Sequence, residues 1–530
     1  MNDTKDLNDK LFYAEVVLRS RPVVPKTADS KLPKVYKDNS LIVNKVKDWL
    51  ISRDFIVTAS SPFGLSIVGP RALFQKYFHT DIVRNVVKVA LSKERTRREM
   101  QFEFAKDNPP QIPEELVNEI EAVYIPPRGR YLSPMPNPNY YHLSLPDDIS
   151  RITNADGAHS RGFRGAGVKV AMVDSGLVVT HEYFNNRGYK MTVHCDNTDN
   201  ATKDECGHGT AMAANLLAIA PECDFHLFKV NPNIYPAPYL AAFRNAYAEP
   251  NVRVISCSWS LDQFDQLWDD EIASVIAMGI IVVFACGNKD SCEFNPIGDP
   301  QYQYMQNHGG CPPVFPSCMS DLICVGGVYP NSDGILEASD YASSGVNPCY
   351  PTSPAHLSRQ CPDICGVCGQ DENLYGRLIV MPTPPGSELD SNASLIDKTL
   401  ANDGWLVASG TSAAAAQVAG GAAVVLSAKP TLTNGDVKQV LMDTGTDVTN
   451  GASATGESAG PGIDNATGHG LINLNAAVDK VNPPGSTSTT SGTLETWQKH
   501  TQHKTTKKRK KKIPKIVIRG KRTSGVRTRA

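Results

Sequence analysis

Val168-Lys169-Val170-Ala171-Met172-Val173-Asp174-Ser175-Gly176 is an apolar run, broken only by Lys169, that ends on a carboxylate, a hydroxyl and a glycine. Continuous rather than alternating apolar residues mark a strand covered on both faces, hence a parallel sheet wrapped by helices. The pattern recurs at Phe225 to Val230, Val252 to Ser256, Ile280 to Ala285 and Leu322 to Val325, with longer segments between. Ala413 to Ser427 is rich in Ala and Val throughout, which predicts a helix buried on nearly all sides. The expected fold class is α/β, and such folds place function at the carboxyl ends of their strands.

Three short motifs fall at those ends. Asp174-Ser175-Gly176 follows a strand, Gly207-His208-Gly209-Thr210 opens the Ala211 to Ala220 helix, and Gly410-Thr411-Ser412-Ala413 opens the Ala-rich helix. A serine hydroxyl is a poor nucleophile near neutral pH and needs a base, itself held in the right tautomer by a third group. Asp, His and Ser are the types required. Starting a helix at Ser412 aims backbone N–H groups at the space above it, suited to an anion on a substrate carbonyl. Gly287-Asn288, after the run Ile280 to Ala285, offers an amide donor for the same oxyanion. Any one tripeptide reads equally as a turn or cap; four in this order, each beside a suitable strand or helix, point to a nucleophilic hydrolase.

At these residues the sequence resembles the subtilisin-like serine proteases (subtilases) over roughly Ala155 to Val478. Gly165-Ala166-Gly167-Val168-Lys169-Val170-Ala171 is similar to the family's first strand entry and Gly468-His469-Gly470-Leu471-Ile472-Asn473 to its closing segment. The resemblance implies that Asp174 orients, His208 acts as general base and then acid, Ser412 attacks, and Asn288 stabilises the oxyanion. It also implies a substrate-pairing strand at Ser258-Trp259-Ser260 and further binding residues at Ala285, Cys286 and Gly287. Departures are Ala413 where Met is usual, Ala211 where many members have His, and Ser260 where Gly is commoner; a side chain at Ser260 narrows the cleft. The expected activity is that of a serine endopeptidase working through an acyl-enzyme. The alternative is an inactive subtilase-fold binding or scaffold module. An esterase of α/β-hydrolase type would need a Gly-x-Ser-x-Gly elbow, which Gly410-Thr411-Ser412-Ala413-Ala414 does not form.

The 530 residues, 41% of them hydrophobic and 20% charged, suffice for two or three units with sizeable cores. Upstream, Leu11 to Leu18, Phe55 to Thr58 and Leu65 to Val68 read as strands, and Asn39 to Arg53 and Gly69 to Phe78 as helices, with another helix over Pro113 to Ile120. This small α+β, ferredoxin-like unit resembles the prodomain of the kumamolisin branch of the sedolisins, notably at Leu65-Ser66-Ile67-Val68-Gly69-Pro70, Phe74, Phe78 and Ile112-Pro113. The resemblance implies a prodomain that assists folding and inhibits by laying its C-terminal strand in the cleft. The expected organisation is a prodomain over 1–128, a proline-rich processing linker over 129–150, the catalytic domain over 151–480, and a flexible linker with a basic tail over 481–530. Cleavage is expected between Gly129 and Ser150.

The net charge of −2 conceals an asymmetry: from Lys499 onward there are 14 Lys and Arg and no Asp or Glu, so residues 1–498 carry 39 basic against 55 acidic side chains, a net −16. Lys507-Lys508-Arg509-Lys510-Lys511-Lys512 reads as a solvated tail, a nuclear-targeting signal or a contact for nucleic acid or another polyanion. Met1 to Lys10 lacks an apolar signal core and no run of about 18 apolar residues occurs. An intracellular chain with no membrane partner is therefore expected, with nuclear placement or non-classical export as variants. Thirteen cysteines exclude complete intramolecular pairing. Cys257 and Cys286 read as buried thiols and Cys206 as packing beside His208. Cys349, Cys361, Cys365 and Cys368 are zinc candidates, with disulfides or free thiols as the other readings. The chemistry needs no cofactor; calcium or structural zinc is possible without a located site.

Overall fold

The computed structural model describes residues 10–19, 39–90, 96–126, 129–131, 135–136, 142–196, 199–231, 234, 237–261, 263–292, 299–346, 359–370, 378–393 and 399–483. The Lys499–Ala530 tail and Cys349 lie outside them.

The central sheet runs, edge to edge, through Lys190–His194, Asp224–Lys229, Lys169–Asp174, Val252–Cys257, Ile281–Ala285, Ile323–Pro330 and Leu336–Ala338, with Ile364–Val367 also paired to Ile323–Pro330. Every pairing is parallel except that of Leu336–Ala338. Along Lys169–Asp174 the side chains divide by parity. Val170 and Met172 join one core and Ala171 and Val173 the other. This two-sided burial is why the run is uniformly apolar. The strand is also where the chain reverses its direction of sheet growth, so Asp174 stands at the switch point where α/β folds form crevices.

Thr411–Ala428 is the predicted core helix, buried from Thr411 to Leu426. It has the length and apolarity of a membrane span, but 89% of it is buried inside the protein. It packs beside His208–Ile219, and Gln417 Nε2 donates to Asn215 Oδ1 at 3.0 Å, tying the two helices together.

The N-terminal unit is an antiparallel sheet ordered Ile56–Ser60, Gly64–Pro70, Leu11–Leu18, Ile120–Tyr124 and carries helices Ser40–Ile51 and Arg71–Phe78. One expectation fails here, and one element went unread. Pro113 to Ile120 is not a helix: Glu114–Leu116 makes one 3-10 turn, because Ile120 and Val123 are drawn into the sheet beside Leu11–Leu18. The charged stretch before it holds a hairpin, Ile82–Ala90 with Thr96–Phe104, that alternation did not reveal. A two-stranded ribbon can keep one face in water, so charge dilutes its pattern; Phe102 and Phe104 reach inward to Phe12 and Phe74, with ring centroids 5.4 and 5.6 Å apart.

The proline-rich stretch contributes two short strands. Gly129–Tyr131 pairs antiparallel with Trp259–Leu261, and Met135–Pro136 with the end of Trp405–Ser409. Residues Met1–Pro483 form one compact unit. At the junction Arg244, buried, is held by Glu271 at 2.8 Å, by Ser66 Oγ at 2.8 Å and by the Glu15 carboxylate from the N-terminal sheet.

Candidate active site

Asp174 ends its strand and His208 opens its helix. His208 Nδ1 lies 2.8 Å from Asp174 Oδ1, both side chains buried, and Ser175 N donates to the same oxygen at 2.8 Å. A carboxylate on Nδ1 favours that nitrogen as the donor and leaves Nε2 as the nitrogen able to take a proton. The flanking glycines have separate reasons. Gly207 has φ +92°, and a Cβ there would fall 2.1 Å from Thr383 Oγ1. A Cβ on Gly209 would lie 2.2 Å from Gly176 O and 3.2 Å from Asp174 Cβ, so no side chain fits between the Asp and His elements.

Ser412 sits in the first turn of its helix. Its Oγ is 3.2 Å from Ser258 O, and Ser258 Oγ donates to Ser412 O at 3.0 Å. Trp259 Nε1 in turn donates to Val173 O at 3.0 Å, which anchors the Ser258 segment to the Asp174 strand. Thr411 donates its N–H and its hydroxyl to Asn288 Oδ1, each at 2.9 Å. Asn288 Nδ2 is buried and has no hydrogen-bond acceptor among the described residues. An orphaned buried amide of this kind is costly unless something arrives to accept from it. The developing oxyanion of an acyl-transfer reaction is such an acceptor.

Asp204 went unrecognised in the sequence. Fully buried, it accepts from Ser175 Oγ at 2.7 Å, Gly207 N at 2.8 Å, Thr210 N at 2.9 Å and Thr210 Oγ1 at 2.7 Å. Ser175 Oγ accepts from Gly209 N at 2.8 Å, so one carboxylate binds both motifs into a single rigid corner. Burial raises its pKa above the usual carboxylate value. The available signal was an Asp just ahead of a helix start, a capping type whose partners sequence alone does not name.

The remaining candidates divide. Ser258, Trp259 and Ser260 lie at the cleft, but the Trp259 ring faces inward, packed on Tyr239, Trp268 and Phe284 at 4.7 to 5.1 Å. Ala285 and Cys286 lie in the two cores, on opposite faces of the sheet. The Cys286 N–H and C=O are bonded to Val325 O and Val314 N. Gly287, at φ +125°, turns the chain into Asn288. The zinc reading of the cysteines is not supported by their placement. Cys361 lies in one core and Cys365 and Cys368 in the other. Cys257 and Cys286 are buried free thiols as expected; Cys206 is half-buried, and desolvation pushes its thiol well up, which fits packing. Cys292 and Cys311 form a disulfide that the spacing did not suggest.

The model of the subtilase family, peptidase family S8, matches residues 165–470. The chain belongs to the subtilase family. Subtilisin E of Bacillus subtilis is 25% identical over 403 residues, covering 74% of this chain and 85% of that protein. The membrane-bound transcription factor site-1 protease of Homo sapiens is 27% identical over 263 residues, 46% of this chain and 22% of that protein. Among solved structures, fervidolysin from Fervidobacterium pennivorans, described as a keratinolytic enzyme related to subtilisin, superposes with a TM-score of 0.50 at 16% identity. That match covers 89% of this chain but only 61% of fervidolysin, and it bears on fold alone. Family membership makes this subtilase a serine protease, a hydrolase of peptide bonds.

Proposed function

We propose that this subtilase is a serine endopeptidase made as a self-inhibited precursor, with Asp174, His208 and Ser412 as its triad and Asn288 as an oxyanion donor. Ser412 Oγ attacks the scissile carbonyl while His208 Nε2 takes its proton, and Asp174 stabilises the imidazolium that forms. The tetrahedral oxyanion accepts from Asn288 Nδ2. His208 then protonates the leaving amine, and water repeats the sequence on the acyl-enzyme. The observation that carries this reading is the buried Asp174–His208 pair together with an Asn288 amide held by Thr411 and left without an acceptor among the described residues.

The precursor reading rests on strand pairing. Tyr131 is opposite Trp259, Arg130 opposite Ser260 and Gly129 opposite Leu261. Ser258, the residue before Trp259, has its carbonyl 3.2 Å from Ser412 Oγ. On the other side, Met135 pairs with Ser409, three residues before Ser412. These two pairings on either side of Ser412 support a cleft-bound segment, and we place the processing bond within residues 131–135, inside the window expected from sequence. Residues 1 to about 130 act as inhibitor, in keeping with the prodomain resemblance noted above, and the basic tail is offered as a polyanion contact. A fluorophosphonate probe tests the chemistry. Labelling that vanishes in Ser412→Ala supports it, and unlabelled processed enzyme refutes it in favour of an inactive binding module. N-terminal sequencing of active enzyme tests the precursor: a new terminus in 132–135 is expected, and full activity with Met1 intact overturns it.

A further inference from the structure

At the edge of the central sheet lies a group of side chains that peptide hydrolysis does not use. His194 ends the outermost strand, His226 lies in the next strand, and Glu249 follows the helix Tyr239–Ala248. The parallel register sets His194 opposite Phe228 and Thr192 opposite His226, so both imidazoles project from one face as diagonal neighbours. His194 Nε2 is 2.8 Å from His226 Nδ1, and His226 Nδ1 is 3.8 Å from Glu249 Oε1. One ligand atom from each residue lies within 4.8 Å of the other two.

These separations suit a common ion. Two ligand atoms on tetrahedral zinc, at bonds of about 2.0–2.1 Å, stand about 3.3 Å apart, between the two distances found. The far side of His226 is also prepared. Asp224 Oδ1 is 3.3 Å from His226 Nε2, which favours the proton there and leaves the Nδ1 lone pair facing His194 and Glu249. A carboxylate behind a ligating imidazole is the usual outer support of a metal site. A cavity of about 290 Å³, lined in part by His194, Cys195, Phe228 and Glu249, leaves room for water or a fourth ligand. Lys169 Nζ lies 2.6 Å from Glu249 Oε1, so any ion shares that carboxylate with an ammonium. This disfavours calcium and magnesium, which depend on oxygen charge, and favours a metal that draws its affinity from imidazole.

We propose that His194, His226 and Glu249 bind a divalent transition-metal ion, zinc in the first instance, fastening the sheet's edge strand to its neighbour and to the end of the Tyr239–Ala248 helix. The site is independent of the triad assignment.

The test is zinc titration of the EDTA-treated full chain by calorimetry, with thermal unfolding in ZnCl2 and in CaCl2, on wild type, His194→Gln, Glu249→Gln and Asp224→Asn. Zinc, not calcium, raises the wild-type Tm. His194→Gln and Glu249→Gln each remove one equivalent of bound zinc and the Tm rise, while Asp224→Asn weakens binding by about 10- to 100-fold. His194 is half-buried at an edge, so its variant folds even where a deeper substitution does not. Cobalt substitution separates this site from the thiols, because imidazole and carboxylate ligands give visible bands without the intense thiolate charge-transfer band. A wild-type Tm indifferent to zinc overturns the site. So does zinc stoichiometry unchanged in both His194→Gln and Glu249→Gln, or a cobalt spectrum with thiolate character only.

Discussion

Thr411 clamps Asn288: its backbone N–H and its hydroxyl both donate to Asn288 Oδ1 at 2.9 Å, which fixes the amide plane and leaves Nδ2 as the group the proposed oxyanion would use. Preorganisation of this kind costs no rearrangement when charge develops. Asn288→Ala is therefore expected to lower kcat on the order of 10²- to 10³-fold with KM nearly unchanged. Thr411→Val should produce a smaller loss in the same parameter. Steady-state kinetics on a peptide substrate checks both, and a change confined to KM would contradict the role.

Ser412→Ala should remove most of kcat, on the order of a million-fold. Asp174→Asn keeps the shape but allows the wrong imidazole tautomer and should cost on the order of 10⁴-fold. Peptide cleavage retained by Ser412→Ala would end the triad assignment.

Arg244 stands between Glu15 of the N-terminal sheet and Glu271 of the α/β part, all three buried. Arg244→Met leaves two buried carboxylates without their cation, a change that typically costs about 3–5 kcal/mol. The expected outcome is a precursor that unfolds at lower denaturant and releases its N-terminal unit more readily. Chemical unfolding of the variant against wild type, both carrying Ser412→Ala to prevent self-cleavage, measures it.

Asp204 predicts a pH signature. Its pKa is raised in the folded state by burial, so the folded protein binds this proton more tightly than the unfolded chain. Its contribution to stability is fully present below the usual carboxylate range, falls as pH rises through the window up to the raised value, and is constant above it. The stability difference between wild type and Asp204→Asn should therefore shrink with rising pH across that window. A difference that grows instead would show the carboxylate to be stabilised rather than penalised by its site.

The triad candidates were legible because each sits beside an element whose periodicity is unmistakable: the run into Asp174, the Ala-rich helix after Ser412, the glycines around His208. The hairpin Ile82–Ala90 with Thr96–Phe104 was not, since its charge obscures alternation. Asp204 and the edge cluster were also missed, because His194, His226 and Glu249 are separated along the chain and look like ordinary polar residues until the sheet aligns them.

Sequence alone determined the class of sheet, the candidates for nucleophile, base and orienting acid, and the resemblance to the family, because burial on both faces and glycine-flanked corners leave local marks in composition. Only the tertiary structure decided which strand Gly129–Tyr131 pairs with, that Thr411 takes Asn288 Oδ1, and which distant histidines meet. Those depend on register and packing between segments far apart in the chain, and no local pattern encodes them.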